Sequence, residues 1–552
     1  MLRYILTYKE TTCIPERPPI NWDKLKYVFY RNDAFVGLFR KFNVKLEFVD
    51  NAKEFLEDII ATYGYNEEVT VTIQRYNSDN FQWETFLTGV INFGNITIKE
   101  FSIETNFENS SFEQTLMNRK SLEVAYQSSI TVDGVAVVKE AFEFFEVNTA
   151  FIAPTAFVQC VYPFEAISRL IYLITGYKDR LRSSFFGKVQ NGYASPGEGA
   201  YYMLTKGLYF RDFETTDVNL TFSVENLLET GLFKIFNLGM AVEVEDGISY
   251  IRIEKREYFF KQDIVLTKTN VSDLVISLND QLFFNKIETG YEKFKEPDEN
   301  SFGLQEYNTQ STYTVAHKPF KSELNIITSI RADGAQMLAL FAGSGTDEKS
   351  IDGDNDIFIL DCVVISGNLV SRQVEELYSY GGVYGVTPYY VNLTITPARM
   401  LYNWGNHIRT GLQFMTSQAI QIQGISGQSK VYSKTYTDAI EKKDGVNINV
   451  LDLDAPILSP FKIKFKAPLY PEDIILIEGN TDKLVKVWNN YKNEYLYGWI
   501  DEVSTDPIDK VTTWELTQAA SVDAAINEPC LLDTNDNPIY NQLGGKILMA
   551  NG

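Results

Sequence analysis

Apolar residues in this chain recur most often at every second position, and that period commits most of it to strands. In Val44-Lys45-Leu46-Glu47-Phe48 the apolar side chains fall on one face and the charges on the other, and Val69, Val71 and Ile73 alternate with Thr70, Thr72 and Gln74. Successive strand side chains point to opposite faces, so each segment presents one wet face and one that must be covered. Between the two, Asn51 and Glu54 stand at capping-box spacing, and Ala52, Leu56, Ile59 and Tyr63 follow a helical stripe that Gly64 ends. The sequence therefore predicts strand, helix, strand over residues 44–74, with more strands around 96–103 and 122–126.

Helical spacing surfaces only locally. Pro163 suits a first helical turn, and Ala166, Ile167, Leu170, Ile171 and Ile174 recur on one face up to Gly176. Ser223 is placed to cap a helix with the stripe Leu227, Leu228, Leu232, Ile235 and Phe236, stopped at Gly239. Two strand-like arms follow, 240–245 and 248–254, around Asp246-Gly247, a pair that accepts the positive φ of a tight hairpin. Thr396-Pro397 opens a further helix whose face is Met400, Leu401, Trp404 and Ile408, ending near Gly411. Strands are expected again at 474–478, 484–488, 495–503 and 511–516, and polar stretches at 295–310 and 343–356 read as exposed loops.

At 63.0 kDa the chain exceeds what one hydrophobic core normally serves, and about three to five domains is the expectation. The segmentation read from the pattern is a β-rich domain over 1–153, an α+β domain with the helix–hairpin unit over 154–320, a mixed α/β domain over 321–440 and a β domain over 441–552. The fold class expected is β-rich α+β and multidomain: antiparallel sheets or β-barrels with a few amphipathic helices. Hydrophobic residues make up 45% and charged residues 22%, enough core material to argue against long disordered tracts. The net charge of -23 opposes binding to nucleic-acid phosphates or anionic lipid without a local basic patch. No signal peptide is read at the N-terminus, and the most apolar helical stretch, 164–177, carries Glu165 and Arg169 and is too short to span a membrane.

Catalytic side chains are scarce. There are two histidines and four cysteines against 33 tyrosines and 37 phenylalanines, which removes much imidazole, thiolate and transition-metal chemistry. Cys13, Cys160, Cys362 and Cys530 lie too far apart for a metal knuckle or a small disulfide scaffold and read as free thiols of a reducing cytosol. The sequons at Asn95, Asn109, Asn219 and Asn270 have no secretion signal to support them. Asp352, Asp354 and Asp356 repeat the first three ligand positions of a calcium loop, but Ile357 stands where the turn needs glycine and Val363 where a bidentate glutamate belongs. They remain the metal candidates beside the simpler reading of a solvated acidic loop, and 533–537 has the same character. His317 and His407 fit no zinc motif, Gly544-Gly545-Lys546 is followed by Ile547 rather than a hydroxyl, and Gly424-Ile425-Ser426 does not complete a nucleophile elbow. Paired carboxylates of a glycosidase need no motif, and Trp83, Trp488 and Trp499 could stack on sugars or fill cores. No catalytic residue, cofactor or firm metal ligand is assigned.

Four stretches carry a resemblance: Trp22-Asp23-Lys24-Leu25-Lys26 with the Phe-Val-Gly-Leu-Phe-Arg segment at 35–40, the hairpin 243–254, Phe284-Asn285-Lys286-Ile287-Glu288-Thr289-Gly290-Tyr291, and 396–404. In that order they resemble large tail proteins of bacteriophages of Bacteroidetes hosts, including crAss-like phages, and their layout is similar to the tail hub or baseplate family. The resemblance spans most of the chain and rests on packing patterns, so it transfers no catalytic residue. It implies a hub-like role for the 154–320 region and a virion protein assembled in the host cytoplasm. Such a protein forms a homo-oligomeric ring that joins tube or ring proteins to distal fibres or a needle. DNA would pass through without specific binding, and no stable membrane insertion is implied. An acidic channel wall would repel the passing genome. The alternatives are a receptor- or carbohydrate-binding virion protein and a carboxylate-dependent cell-wall hydrolase.

Overall fold

The structure is a computed structural model. It describes residues 2–521 except 25–26, 33–34, 43, 66, 78–80, 109–111, 128–129, 133–134, 138–143, 150–156, 246–247, 293–309, 316–319, 333, 343–352, 372–376, 380–381, 384–394, 414–420, 425–430, 434–446 and 506–511. The fold is β-rich α+β, with several mainly antiparallel sheets and a few helices.

The predicted strand, helix, strand unit forms as Val44–Val49, Asp50–Tyr63 and Glu68–Asn77. Leu46, Phe48, Leu56, Val69, Val71 and Ile73 are all buried, as their alternation and stripe require. The capping box does not form. The helix begins after Val49 with no side-chain cap, and the Asn51 amide instead receives Glu16 N at 3.0 Å and donates to Ile14 O at 3.0 Å, tying down the incoming chain. These strands belong to a seven-stranded sheet whose path runs Thr11–Cys13, Leu2–Tyr8, Glu68–Asn77, Gln82–Asn92, Ser102–Glu108, Val44–Val49, with Thr97–Ile98 also on Ser102–Glu108.

An eight-stranded sheet is ordered Ile264–Lys268, Leu484–Asn489, Glu494–Thr505, Thr512–Ala519, Leu458–Ala467, Ser272–Leu278. Two early strands join it: Tyr27–Arg31 pairs with Glu494–Thr505, and Leu38–Phe42 pairs with Tyr27–Arg31. The two large sheets share one core, in which Leu6, Phe48, Val71 and Phe107 meet Phe465, Trp514 and Leu516. The segment 474–478 is not a strand. Pro471–Gly479 is a helix, because Pro471 fits the first turn, Asp473 accepts Tyr470 N at 2.8 Å, and Lys268 holds that carboxylate at 2.6 Å.

The largest core surrounds helix Pro163–Thr175, which begins at its proline and ends at Gly176 in the left-handed region, φ 77, as predicted. Beside it, Phe157–Cys160, Phe145–Asn148, Asn368–Ser371, Ile357–Ile365 and Tyr202–Lys206 form a five-stranded sheet. Val161 and Leu204 exchange N–H···O bonds of 2.8 Å, so its first and last strands meet. Ser223 does cap the next helical stretch, receiving Asn226 N at 3.0 Å and donating to Asn226 Oδ1 at 2.7 Å. That stretch is a wide π-type turn over Glu225–Leu232, kinked at Gly231 and followed by Phe233–Phe236. Its stop is Asn237 at φ 52 rather than Gly239. Gly239 lies in the following strand, where a Cβ would sit 2.9 Å from the Phe259 ring.

The hairpin forms as Leu238–Glu245 and Ile248–Lys255, in register from Leu238↔Lys255 to Glu245↔Ile248; its turn, Asp246-Gly247, lies outside the described residues. Leu181–Arg182 adds to it in parallel. Thr396 caps Pro397–Asn403, and Gly405–Leu412 continues it one residue past Gly411. The polar stretch 295–310 lies outside the described residues up to its last residue, which opens the strand Gln310–Thr314.

Candidate functional site: a buried junction and an open sheet edge

The turn between the Tyr27–Arg31 and Leu38–Phe42 strands joins the three cores. Phe29 lies in the core of the two large sheets, Phe35 and Phe39 in the helical core, and Val36 in a small cluster with Ala241, Phe259, Phe260, Leu484, Trp499 and Ala519. Val36 has φ 70, a costly conformation for a β-branched residue. Its surroundings impose it: Met240 N donates to Phe35 O at 2.5 Å and Gly37 N to Met240 O at 3.0 Å, fixing the turn against the hairpin. Gly37 admits this approach, since a Cβ there would lie 2.5 Å from Met240 O.

Arg31 holds the same turn from the other side. Its guanidinium donates to Val36 O at 2.6 Å, Ile500 O at 2.9 Å and Thr481 O at 3.1 Å, and lies over the Phe260 ring at 5.0 Å. Burial pulls its pKa down to about 10, although the carboxylates of Asp501 and Asp482 favour the charged form. Five donors in a rigid fork can satisfy three carbonyls at once, which an ammonium cannot do in this geometry. The 35–40 segment quoted for the resemblance is thus the internal lock of the molecule.

The acidic run of the sequence divides. Asp352 lies outside the described residues, but 353–356 is not a solvated loop. Asp354 is buried and its carboxylate accepts from Arg211 Nη1 at 2.6 Å, while Asp356 pairs with Arg331 at 3.0 Å. Backbone bonds from Gly207 N to Asp356 O and from Leu208 N to Asp354 O dock the run onto the Gly207–Arg211 turn. The carboxylates serve two arginines 143 and 25 positions away in sequence, distances at which no local pattern could have foretold the pairing. Among the described residues no group of three or more His, Cys, Asp or Glu side chains converges as a metal site.

His407 packs its ring against Phe284 and Trp404, and burial, with the nearby Arg256 charge, pulls its pKa down to about 3. His317 lies outside the described residues, as do Cys530, the 533–537 run, Gly544-Gly545-Lys546 and all of the Gly424-Ile425-Ser426 string but Gly424, which ends a strand. Cys13, Cys160 and Cys362 are free thiols. Trp499 is fully buried and donates to Lys261 O at 3.0 Å, Trp83 meets Tyr76 edge-on, and Trp488 meets Tyr495. The three tryptophans do not converge on one groove: each belongs to its own ring contact.

An open sheet edge left no local pattern in the sequence. Among the described residues Ser272–Leu278 ends the eight-stranded sheet and pairs on one side only, with Leu458–Ala467. Ile276 lies opposite the buried Ile463, so it points to the core face, yet it is 40% exposed; Val275 is 54% and Leu278 44% exposed. On the outer face of the neighbouring strand stand Lys462, Lys464 and Lys466, held by Glu515 and Asp273. Burial pushes the Glu515 carboxyl up, but the ammonium groups of Lys462 and Lys464 outweigh it and hold it below its ordinary range.

No protein-family model matches the chain, and no curated protein matches it. Among solved structures it is similar to the 43 kDa tail protein of prophage MuSo2 from Shewanella oneidensis, at 8% identity and TM-score 0.34, covering 94% of this chain and 96% of that one. It is similar also to a tail protein from Neisseria meningitidis MC58, at 8% identity and TM-score 0.33, covering 94% and 97%. A third is the prophage tail protein gp18 from Listeria monocytogenes EGD-e, at 7% identity and TM-score 0.30, covering 95% of each chain. These overlaps are too shallow to define a common fold.

Proposed function

We propose that this chain is a structural component of a phage tail, a hub or baseplate subunit that assembles with copies of itself and with other tail proteins. The observation that carries the reading is the open edge Ser272–Leu278, where among the described residues a core-facing apolar row ends without a neighbouring strand. An exposed apolar edge strand is a liability in a protein that works alone and a ready interface in one that assembles. The sequence resemblance supplies the setting: a ring at the distal tail of a Bacteroidetes phage, tube or ring proteins above, fibres or a needle below, and a channel for the genome. The Arg31 lock suits that role, since a ring under mechanical load needs its sheets fixed to one another.

Size-exclusion chromatography with light scattering and two-dimensional particle averages of the full chain, alone and co-expressed with neighbouring tail proteins, test this. Closed rings or defined complexes are expected. A single molecule in every combination contradicts the reading.

A further inference from the structure

We infer that the outer face of the seven-stranded sheet, over strands Leu2–Tyr8, Glu68–Asn77 and Gln82–Asn92, is a binding face for a neutral glycan. The inference stands apart from the tail reading, since no residue of the open edge or of the Arg31 turn contributes to it.

Register fixes which side chains share the face. Tyr4, Leu6, Val71, Ile73 and Leu87 point into the core that holds Leu56, Phe465 and Trp514, so the alternate residues point away from it. On that outer side Thr7 lies opposite Thr70, and Thr72 opposite Thr88. Further along, Gln74 lies between Arg3 and Thr85, and Tyr76 opposite Trp83. Thr85, Thr88 and Tyr76 are exposed and the others half-buried. Successive rows stand about 7 Å apart and neighbours within a row about 5 Å apart, so the surface runs about 20 Å along the strands.

Its chemistry selects the ligand. The hydroxyls of Thr7, Thr70, Thr72 and Thr88 and the amide of Gln74 have no hydrogen-bond partner among the described residues. A hydroxyl both donates and accepts, so rows of them complement a polyol, whose groups do the same. Arg3 is the only charged residue in these rows, too little to hold a phosphate polymer, and the net charge of -23 repels an acidic one. At one end the Tyr76 and Trp83 rings meet 5.4 Å apart with planes 65° inclined, and Arg3 lies 5.9 Å over Trp83. At that inclination only one ring can lie flat against the apolar face of a sugar, and Tyr76, 37% exposed, is that ring. A protein partner would gain little here: Ile5 and Val90 are the aliphatic side chains of these rows, and threonine and valine are under-represented among residues that carry protein–protein binding energy.

Affinity electrophoresis of the full chain in native gels containing mannan, xylan, galactan or β-glucan tests this, with alginate as the acidic control. At least one neutral polymer should retard the chain, and alginate should not. Tyr76→Ala and Thr88→Glu alter exposed side chains, so the fold should survive, as circular dichroism checks; Thr85→Glu replaces either one that does not fold. Each should raise the polymer concentration needed for half-retardation by about tenfold, whereas Thr88→Ser, which keeps the hydroxyl, should behave like the unaltered chain. No retardation by any of the four neutral polymers overturns the inference, as does equal retardation of both variants and the unaltered chain. If the two variants instead lose self-association in mass photometry with retardation unchanged, a second copy covers the face and the glycan inference is likewise overturned.

Discussion

The guanidinium of Arg31 donates to the carbonyl of Val36 at 2.6 Å, so one side chain stabilises a residue held at φ 70 five positions on. The same fork reaches Ile500 and Thr481, and through them the far end of the chain is fixed to its beginning.

Replacing Arg31 with methionine should therefore cost more than an ordinary surface change. Three carbonyls lose their donor and Val36 loses its restraint, a combined cost of about 3–5 kcal/mol. Urea unfolding measures it, and lysine at this position should recover only a fraction, because one ammonium cannot serve three diverging acceptors.

Gly37→Ala tests the other half of the junction. The added Cβ would sit 2.5 Å from Met240 O and 2.9 Å from Ala241 Cα, both backbone atoms that cannot swing away. A loss of about 3 kcal/mol or more is expected, read as a lower denaturation midpoint.

Asp354→Asn should destabilise strongly, by about 3–5 kcal/mol, because Arg211 would keep its charge in a buried site without its partner. The double substitution Arg211→Met with Asp354→Leu should recover most of that loss. If instead the acidic run worked as a calcium site, calcium would raise the melting temperature of the unaltered chain and not of Asp354→Asn; no such shift is expected.

Stability should fall with acid through His407. Its folded pKa is depressed to about 3 while an unfolded histidine titrates near 6.5, so between those values the unfolded chain binds the extra proton. This group's contribution is fully present above about pH 6.5 and is lost as pH falls toward 3, at up to about 1.4 kcal/mol per pH unit. Unfolding free energies at pH 7 and pH 5 should differ less in His407→Gln than in the unaltered chain.

Local pattern made much of the fold legible. The alternation at 44–48 and 69–73, the proline-to-glycine span at 163–176 and the arms around Asp246-Gly247 each name an element whose cause lies within a few residues. Where a distant partner decides, the reading failed. Ile474-Ile475-Leu476-Ile477 looks like a strand until Lys268 fixes Asp473 in a first helical turn, and Asn51 is taken from its capping role by the chain at 14–16. The same holds for function. The quoted 35–40 segment proved to be the place where three cores meet, but the edge at 272–278 could not be seen in the sequence, because an unpaired edge is a property of sheet order and not of composition.

The most direct test of the proposed tail role is an electron-microscopy map of virions purified from cells that express this chain. The account predicts several copies in a closed ring at the distal tail, each touching the next. A particle without the chain, and a solitary folded molecule left in the host, would contradict it.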